Sequence, residues 1–430
     1  MPFVGLDVHR REVEAAIVGE DGGLQLRSRF PATREAVQEF AANFLHATDH
    51  VALEATTNTW GVVDLLHPHV AEVVVSNALR TKAIAQAKIK TDRVDALVLA
   101  QLLRCDYLPR VWEPDEKTRR MRRLTSRRAS LVADRTGIKN RIHSVLHQRL
   151  IPAPEVDLFS AKGRTWLRGL ALDEQGRQAV DSDLRLLDAT ETEMAELNGI
   201  LARAGYEEPR VRLLMTLPGI DLAVAQAIVA ALGDVSRFPS GDHAAAYLGI
   251  VPRTHQSGDH CYHGPITKQG KGHVRWLVVQ AAQHLATHPG PLGVFFRRVA
   301  KRKNRNVAVV AAARKLVVIA WHMLRSNEPY RYAVPKLTEG KLARLRVAAT
   351  GKRRQGGVPK GSARPASYGT GNPTRGIRSL DQAYEAEELP PREPLAAGEE
   401  AMLAAAGVIE FVRSLAQPKR EPKRRKAAAE

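Results

Sequence analysis

The stretch Lys90-Thr91-Asp92-Arg93-Val94-Asp95-Ala96 sets two carboxylates three residues apart at the head of an apolar run. Leu97, Val98, Leu99, Leu102 and Leu103 continue that run with helical spacing, so Asp92 and Asp95 share one face of a first turn. Acids placed this way flank a cation such as Arg93, complement the helix dipole, or share a divalent metal whose hard oxygen ligands they supply. Spacing alone leaves the three readings open. Two more acids close apolar runs upstream: Asp7 within Phe3-Val4-Gly5-Leu6-Asp7-Val8, and Glu54 after Val51-Ala52-Leu53. Far downstream, Ser257-Gly258 sits among Arg253, Lys268, Lys271 and Arg275. A serine beside glycine among positive charges can attack a phosphodiester while the cations stabilise the developing charge. By composition it is equally a loop serine.

The elements around the acids suggest how they meet. Residues 3–8, 12–18 and 24–30 read as an antiparallel meander with a turn at Asp21-Gly22-Gly23. A helix over 34–45, a strand over 51–54, a helix over 60–66 and a strand over 70–75 follow. Strand-strand-strand-helix-strand-helix-strand-helix is the order of an α/β RNase H-like (RuvC-like) domain. In that architecture the first and fourth strands are neighbours, so Asp7 and Glu54 lie side by side and the Asp92/Asp95 helix packs against the same edge. Four carboxylates that close repel unless compensated. Two Mg²⁺ ions, with Mn²⁺ as the alternative, resolve the repulsion and form the two-metal clamp used on phosphodiesters.

Length and charge narrow the partners. At 430 residues the chain supports two or three domains. A net charge of +19 and a pI near 10.2 point to a polyanion, nucleic acid before a membrane surface. The longest apolar run, 307–321, is interrupted by Arg314-Lys315 and is too short to span a bilayer. Residues 1–18 carry charges with no apolar core of a signal peptide. Cys105 and Cys261 form no CxxC pair, which excludes a disulfide framework and a Cys-rich zinc site. A cytoplasmic, membrane-free protein is the expectation.

Residues 113–150 hold eleven Lys and Arg against four acids, interleaved with apolar positions. This predicts an amphipathic helix whose basic face, including Arg119, Arg120, Arg123, Arg127 and Lys139, contacts phosphates without sequence preference. After Pro152 and Pro154, Leu184, Leu187, Met194, Leu197 and Leu201 recur at three- and four-residue steps, the pattern of a coiled-coil-like arm or of a core-facing helix. Two helices around Leu217-Pro218-Gly219-Ile220 suit a helix-hairpin-helix or an ordinary turn. His255, Asp259, His260 and His263 fit no standard zinc spacing. The division expected is 1–150, an acid-bearing domain ending in the basic helix; 151–205, a helical arm; 206–335, a mainly α domain presenting Ser257; and 336–430, a mostly disordered basic tail with one short helix over 399–415.

Gly5-Leu6-Asp7-Val8-His9, Leu53-Glu54-Ala55-Thr56-Thr57-Asn58-Thr59-Trp60 and Lys90 to Ala96 resemble, in order, three blocks of insertion-sequence transposases with an Asp-Glu-Asp-Asp RuvC-like domain. Val251-Pro252-Arg253, Gln256-Ser257-Gly258 and His263-Gly264-Pro265-Ile266-Thr267-Lys268 resemble the block holding that family's nucleophilic serine, and 308–324 resembles its closing helix. The resemblance spans about 3–332. It implies catalytic Asp7, Glu54, Asp92, Asp95 and Ser257, donor and target DNA, a structured guide RNA, a covalent 5′-phosphoserine link, and a composite site in a dimer or tetramer. A metal-only junction nuclease and a non-catalytic nucleic-acid binder are the rival classes.

Overall fold

A computed structural model of the chain describes residues 2–84, 92–352 and 374–422. Lys90 and Thr91 of the acid motif, much of the Gly- and Ser-rich part of the tail and the terminal basic run Lys423 to Lys426 lie outside the described residues. The chain divides into two compact units, Met1–Asp115 and Glu116–Glu430.

The first unit is built on a five-stranded sheet. Its elements are β1 (Phe3–Val8), β2 (Glu12–Val18), β3 (Leu24–Pro31), α1 (Arg34–Phe44), β4 (His50–Glu54), α2 (Thr59–Leu66), β5 (Glu72–Ser76), α3 (Ala78–Ile84) and α4 (Asp92–Arg104). The strand order is β3-β2-β1-β4-β5, with the meander antiparallel and β1-β4-β5 parallel. This is the mixed sheet of an RNase H-like domain, in the element order expected from the sequence. Side chains alternate between its faces. Val4, Leu6, Val8, Val51, Leu53, Val73 and Val75 pack with Val37 and Phe40 of α1 and Val62, Val63 and Leu66 of α2. Ala52 and Val74, on the opposite face, pack with Leu99 and Leu103 of α4. Gly5, Asp7 and Glu54 therefore belong to the α4 face by parity.

The second unit begins with α5 (Glu116–Gln148), α6 (Ala161–Gly169), α7 (Glu174–Glu207), α8 (Pro209–Leu214), α9 (Leu222–Leu232) and α10 (Gly241–Tyr247). A hairpin of β6 (Pro252–Ser257) and β7 (His260–Ile266) follows, then α11 (Gly272–Gln283), α12 (Pro291–Arg302), α13 (Arg305–Ser326) and α14 (Pro335–Thr350). The chain closes with β8 (Thr374–Ile377), α15 (Leu380–Ala386), α16 (Ala397–Ala405), α17 (Ile409–Ser414) and β9 (Lys419–Pro422).

Several sequence expectations change here. The basic helix α5 groups with the second unit because its apolar face is spent there: Ile138, Ile142 and Leu146 pack on Val180, Leu184 and Leu187, and Leu131 packs with Met194, Leu197 and Leu201. The rising numbers on α5 meet falling numbers on α7, so the two helices run antiparallel and the seam read as an arm is filled within the chain. The tail is not all irregular. Leu380, Tyr384, Leu389 and Leu415 are buried in the same core as α13, and the helix expected over 399–415 is two short helices broken at Gly407. The turn between α8 and α9 forms, but Leu217 and Ile220 are buried and a Cβ on Gly219 would lie 2.3 Å from the Ala281 carbonyl oxygen. On the Gly219 side the turn is packed on α11. Helix α13 has the length and hydropathy of a membrane span, yet Ala308, Ala312, Leu316, Val317 and Ala320 lie in the core of the unit.

Candidate functional site

Asp7 occupies the end of β1 on the face covered by α4, and α4 starts at Asp92. What lets the helix come close is a floor of small residues. Gly5 pairs in register with Ala16 of β2 and Ala52 of β4. A Cβ on Gly5 would fall 1.9 Å from the Ala96 carbonyl oxygen and 2.6 Å from the Ala100 nitrogen. The first turn of α4 is thereby brought to the end of β1, two residues beyond the glycine.

There Asp7 and Asp92 meet around a histidine. His9 Nε2 lies 3.0 Å from Asp7 Oδ2 and 3.3 Å from Asp92 Oδ1, and the three ligand atoms fall within 4.8 Å of one another. Two unit charges at 4.8 Å repel by about 1 kcal/mol in water and about 3 kcal/mol at an effective dielectric near 20. A cation between them offsets that cost. Burial raises the Asp7 carboxyl above its ordinary value, His9 pulls it down, and the charges of Asp95 and Asp92 add to the rise. For His9, burial works downward, but the charges and hydrogen bonds of Asp7 and Asp92 outweigh it and leave the imidazole above its ordinary value. Asp7 is 14% exposed and Asp92 54%, so the pair has a protected and an open member.

Asp95, half-buried one turn into α4, acts on Asp7 through its charge. Glu54 ends β4, and the register Leu6↔Leu53 puts it and Asp7 one step further at the same ends of adjacent strands. Its loop is held by Thr59: the Thr56 amide donates to Thr59 Oγ1 at 2.6 Å, and that hydroxyl donates to the Thr56 carbonyl at 3.0 Å. The group with all ligand atoms mutually close comprises Asp7, His9 and Asp92 among the described residues. Sequence reasoning misses His9, although its parity with Gly5 and Asp7 is a signal. It also misses Glu14, which pairs in register with Asp7 on β2 and is met by Arg29 at 3.3 Å.

Ser257 ends β6, exposed, at a two-residue turn whose Gly258 has φ 56°. His260 stands opposite it in register. The strand carries no inward side, every residue of 252–257 being exposed, so no alternation marks it in the sequence. Its base is fixed by interlocked glycines. A Cβ on Gly249 would meet the Gln269 carbonyl oxygen at 2.3 Å, and one on Gly270 the Tyr247 carbonyl oxygen at 2.3 Å, both glycines lying at φ 69°. Arg275 is part of that anchor, its Nη1 donating to the Leu248 and Gln269 carbonyls at 3.2 and 2.8 Å. Arg253, Lys268 and Lys271 remain exposed.

On α5 the basic residues separate by task. Arg119 is buried, Arg122 donates to the last carbonyls of α9 at Ala230 and Ala231, and Arg141 and Arg149 pair with Asp183 and Asp173. Lys139 lies 4.5 Å over the Phe159 ring. Arg120, Arg123 and Arg127 point outward, with Arg123 bonded to Glu116 at 2.6 Å. The outer face is therefore less one-sided than the helix alone suggests, because α7 brings acids to it.

Comparison with known proteins gives two matches to family models. Residues 4–151 match the DEDD-type IS110 transposase model, and residues 211–293 match a model described as transposase IS116/IS110/IS902 family. A protein of Sinorhizobium fredii described as a transposase is 28% identical over 329 residues, covering 74% of this chain and 78% of its own length. The pilin gene-inverting protein of Moraxella bovis is 26% identical, covering 76% of this chain and 97% of its own. The transposase for insertion sequence element IS1111A of Coxiella burnetii is 26% identical, covering 56% and 68%.

Proposed function

The chain belongs to the IS110/IS116 family of insertion-sequence transposases, and from that premise we propose that it cuts and rejoins DNA through a phosphoserine link at Ser257, with Mg²⁺ on its acidic cluster and a structured RNA choosing its sites. The observation that carries the reading is the meeting of Asp7 and Asp92 at His9, an arrangement with no evident purpose in packing, since two of its three members are more than half exposed. The donors fit a hard divalent ion: carboxylate oxygens gathered from a strand end and a helix start, with a fourth acid at the next strand end. Asp7, Glu54, Asp92 and Asp95 would hold it. Bound there, the ion would supply charge stabilisation to a scissile phosphate. His9, bonded to both Asp7 and Asp92, would keep their carboxylates oriented and offset their repulsion.

Ser257 would act as the nucleophile. Its Oγ would form a bond to phosphorus as the P–O3′ bond breaks, the hydroxyl proton leaving to a base and the 3′ oxygen taking one up. Exposure at the tip of a rigidly anchored hairpin suits a residue that must reach a strand held elsewhere, and Arg253, Lys268 and Lys271 supply positive charge around it. A relative named for gene inversion favours rejoining over hydrolysis, because inversion must reseal every strand it opens. Rejoining of this kind calls for several subunits, a dimer or tetramer, each contributing a serine.

Trapping tests the reading. A labelled insertion-sequence end incubated with the protein and Mg²⁺ should give a protein-DNA adduct that survives denaturation. Nicked DNA with no adduct would favour a hydrolytic nuclease instead, and neither product would favour a binder without catalysis.

A further inference from the structure

A second concave region lies in the Glu116–Glu430 unit, walled by α5, α9 and α11. It is a cleft of about 640 Å³, within the size range of small-molecule sites. Its floor on α5 is a stripe of small residues at helical spacing, Ala129, Ala133 and Gly137, and a Cβ on Gly137 would meet nothing within 4 Å. Its wall on α11 is Trp276, an indole 53% exposed although apolar cover is available nearby. The exposed indole and the small-residue groove together leave a flat apolar slot open to an occupant.

Two polar atoms give the cleft its chemistry. Gln226 is fully buried on α9; its amide nitrogen donates to the Leu201 carbonyl at 2.7 Å, while its Oε1 has no hydrogen-bond partner among the described residues. His273, one turn from Trp276 on the same face of α11, has a buried Nε2 likewise without a partner there. Burial, then the charge of Lys271, pushes this imidazole below its ordinary value, so it stays neutral. Buried polar atoms are normally satisfied. Both residues line this one cleft, so the two unpaired atoms lie in its wall, just beneath the surface an occupant would cover. The first turn of α11 adds backbone N–H groups: its cap residue Lys271 makes no side-chain cap bond, and Arg128 lines the opposite side.

We propose that this cleft binds one unstacked nucleotide of a single-stranded nucleic acid, the base lying against Trp276 with an N–H edge toward Gln226 Oε1 and the sugar-phosphate toward the α11 N-terminus. A base supplies the flat apolar faces that the indole and the alanine floor accept, and the polar edge that the orphan carbonyl needs. Apart from the cap residue Lys271, nothing in the acid cluster or the serine hairpin uses these residues. The inference rests on the nucleic-acid reading above only for the class of ligand, and its test separates the two.

The test uses the full chain with short single-stranded RNA and DNA probes carrying one 2-aminopurine, and duplex DNA as a second ligand. Stacking on the indole should quench the probe. Trp276→Ala removes the platform from an exposed position, Ala133→Leu fills the groove without touching the aromatic, and Trp276→Phe keeps a ring. The expected result is loss of quenching and about tenfold weaker single-strand binding in the first two, near wild-type behaviour in the third, and unchanged duplex affinity throughout. Quenching with RNA alone would assign the base to a guide strand, and with DNA alone to a displaced strand. If the Ala and Leu variants quench and bind as wild type does, the cleft is not the site. If wild type binds duplex without quenching either probe, the pocket fails and the general reading stands; if it binds neither ligand, the general reading fails and the pocket with it.

Discussion

Gly5 on β1 and Ala96 on α4 touch backbone to backbone: any Cβ on the glycine would overlap the Ala96 carbonyl oxygen at 1.9 Å. The consequence is felt two residues later on the strand and one helical turn earlier on the helix, where Asp7 and Asp92 share His9. A packing constraint at one position thus sets a chemical distance at another.

Gly5→Ala tests that coupling. The methyl must push α4 off the sheet, so a loss of about 1–3 kcal/mol is expected in denaturant unfolding, as for other overpacked cores. Stabilisation of the protein by added Mg²⁺ should fall further than the stability itself, because the two carboxylates separate. An Ala variant with wild-type Mg²⁺ affinity by calorimetry would show that helix placement does not set the site.

Neutralising the acids separates metal binding from DNA binding. Asp92→Asn and Glu54→Gln should abolish strand cleavage while leaving nucleic-acid affinity equal or higher, since each removes a ligand and also repulsion toward phosphate. Asp7→Asn should behave the same way and keep the fold, because burial already disfavours its charge. Wild-type cleavage by any of the three would remove that residue from the proposed metal site.

Much of the acid-bearing unit was legible in the sequence, for a physical reason. Strands β1, β4 and β5 are apolar runs that end abruptly, and Asp7 and Glu54 mark those ends. His9 was harder, being one exposed residue in a turn whose role depends on where α4 arrives. The β6–β7 hairpin gave no signal because a strand exposed on both sides shows no period of two. The seam on α7 was legible but not its partner, since periodicity says which face is covered and not by what. In the tail, Leu380, Tyr384 and Leu389 are anchors diluted by Pro, Gly and charge, and composition outvoted them.

The outward arginines of α5 should govern salt dependence. Binding to duplex DNA should weaken steeply as salt rises, and replacing Arg120 and Arg127 with Ala should lower the slope of log affinity against log salt by about one for each phosphate left without its arginine. Arg123→Ala should change it less, because Glu116 already occupies that side chain. Arg119→Ala should instead cost stability, as the residue is buried. A slope unchanged in the Arg120/Arg127 double variant would remove this face from the DNA surface.

Acid should loosen the second unit through Glu208. Burial works to raise this carboxyl, but bonds from Arg210 and Lys117 outweigh it and hold it down at about 2. A depressed folded value means the contribution is full above the unfolded value near 4.5 and is lost as pH falls toward 2. The amount is about 3 kcal/mol. Glu208→Gln should lower stability at neutral pH and flatten the profile between those limits in urea unfolding. A variant as pH-dependent as wild type there would assign the acid sensitivity to other carboxylates.

Ser257→Ala is the most discriminating substitution for the proposed chemistry. The residue is exposed at the hairpin tip, so losing one hydroxyl should move stability by no more than about 0.5 kcal/mol. Oligomeric state and nucleic-acid affinity should hold, because the hairpin is anchored from Gly249 and Gly270 rather than from its tip. The adduct should vanish. Ser257→Cys should keep a trace of it, since a thiolate also attacks phosphorus. Mass spectrometry of the trapped complex supplies the site directly. If the Ala variant still joins a donor to a target, or the adduct maps to another residue, Ser257 is a turn residue and the acids at β1, β4 and α4 carry the cleavage alone.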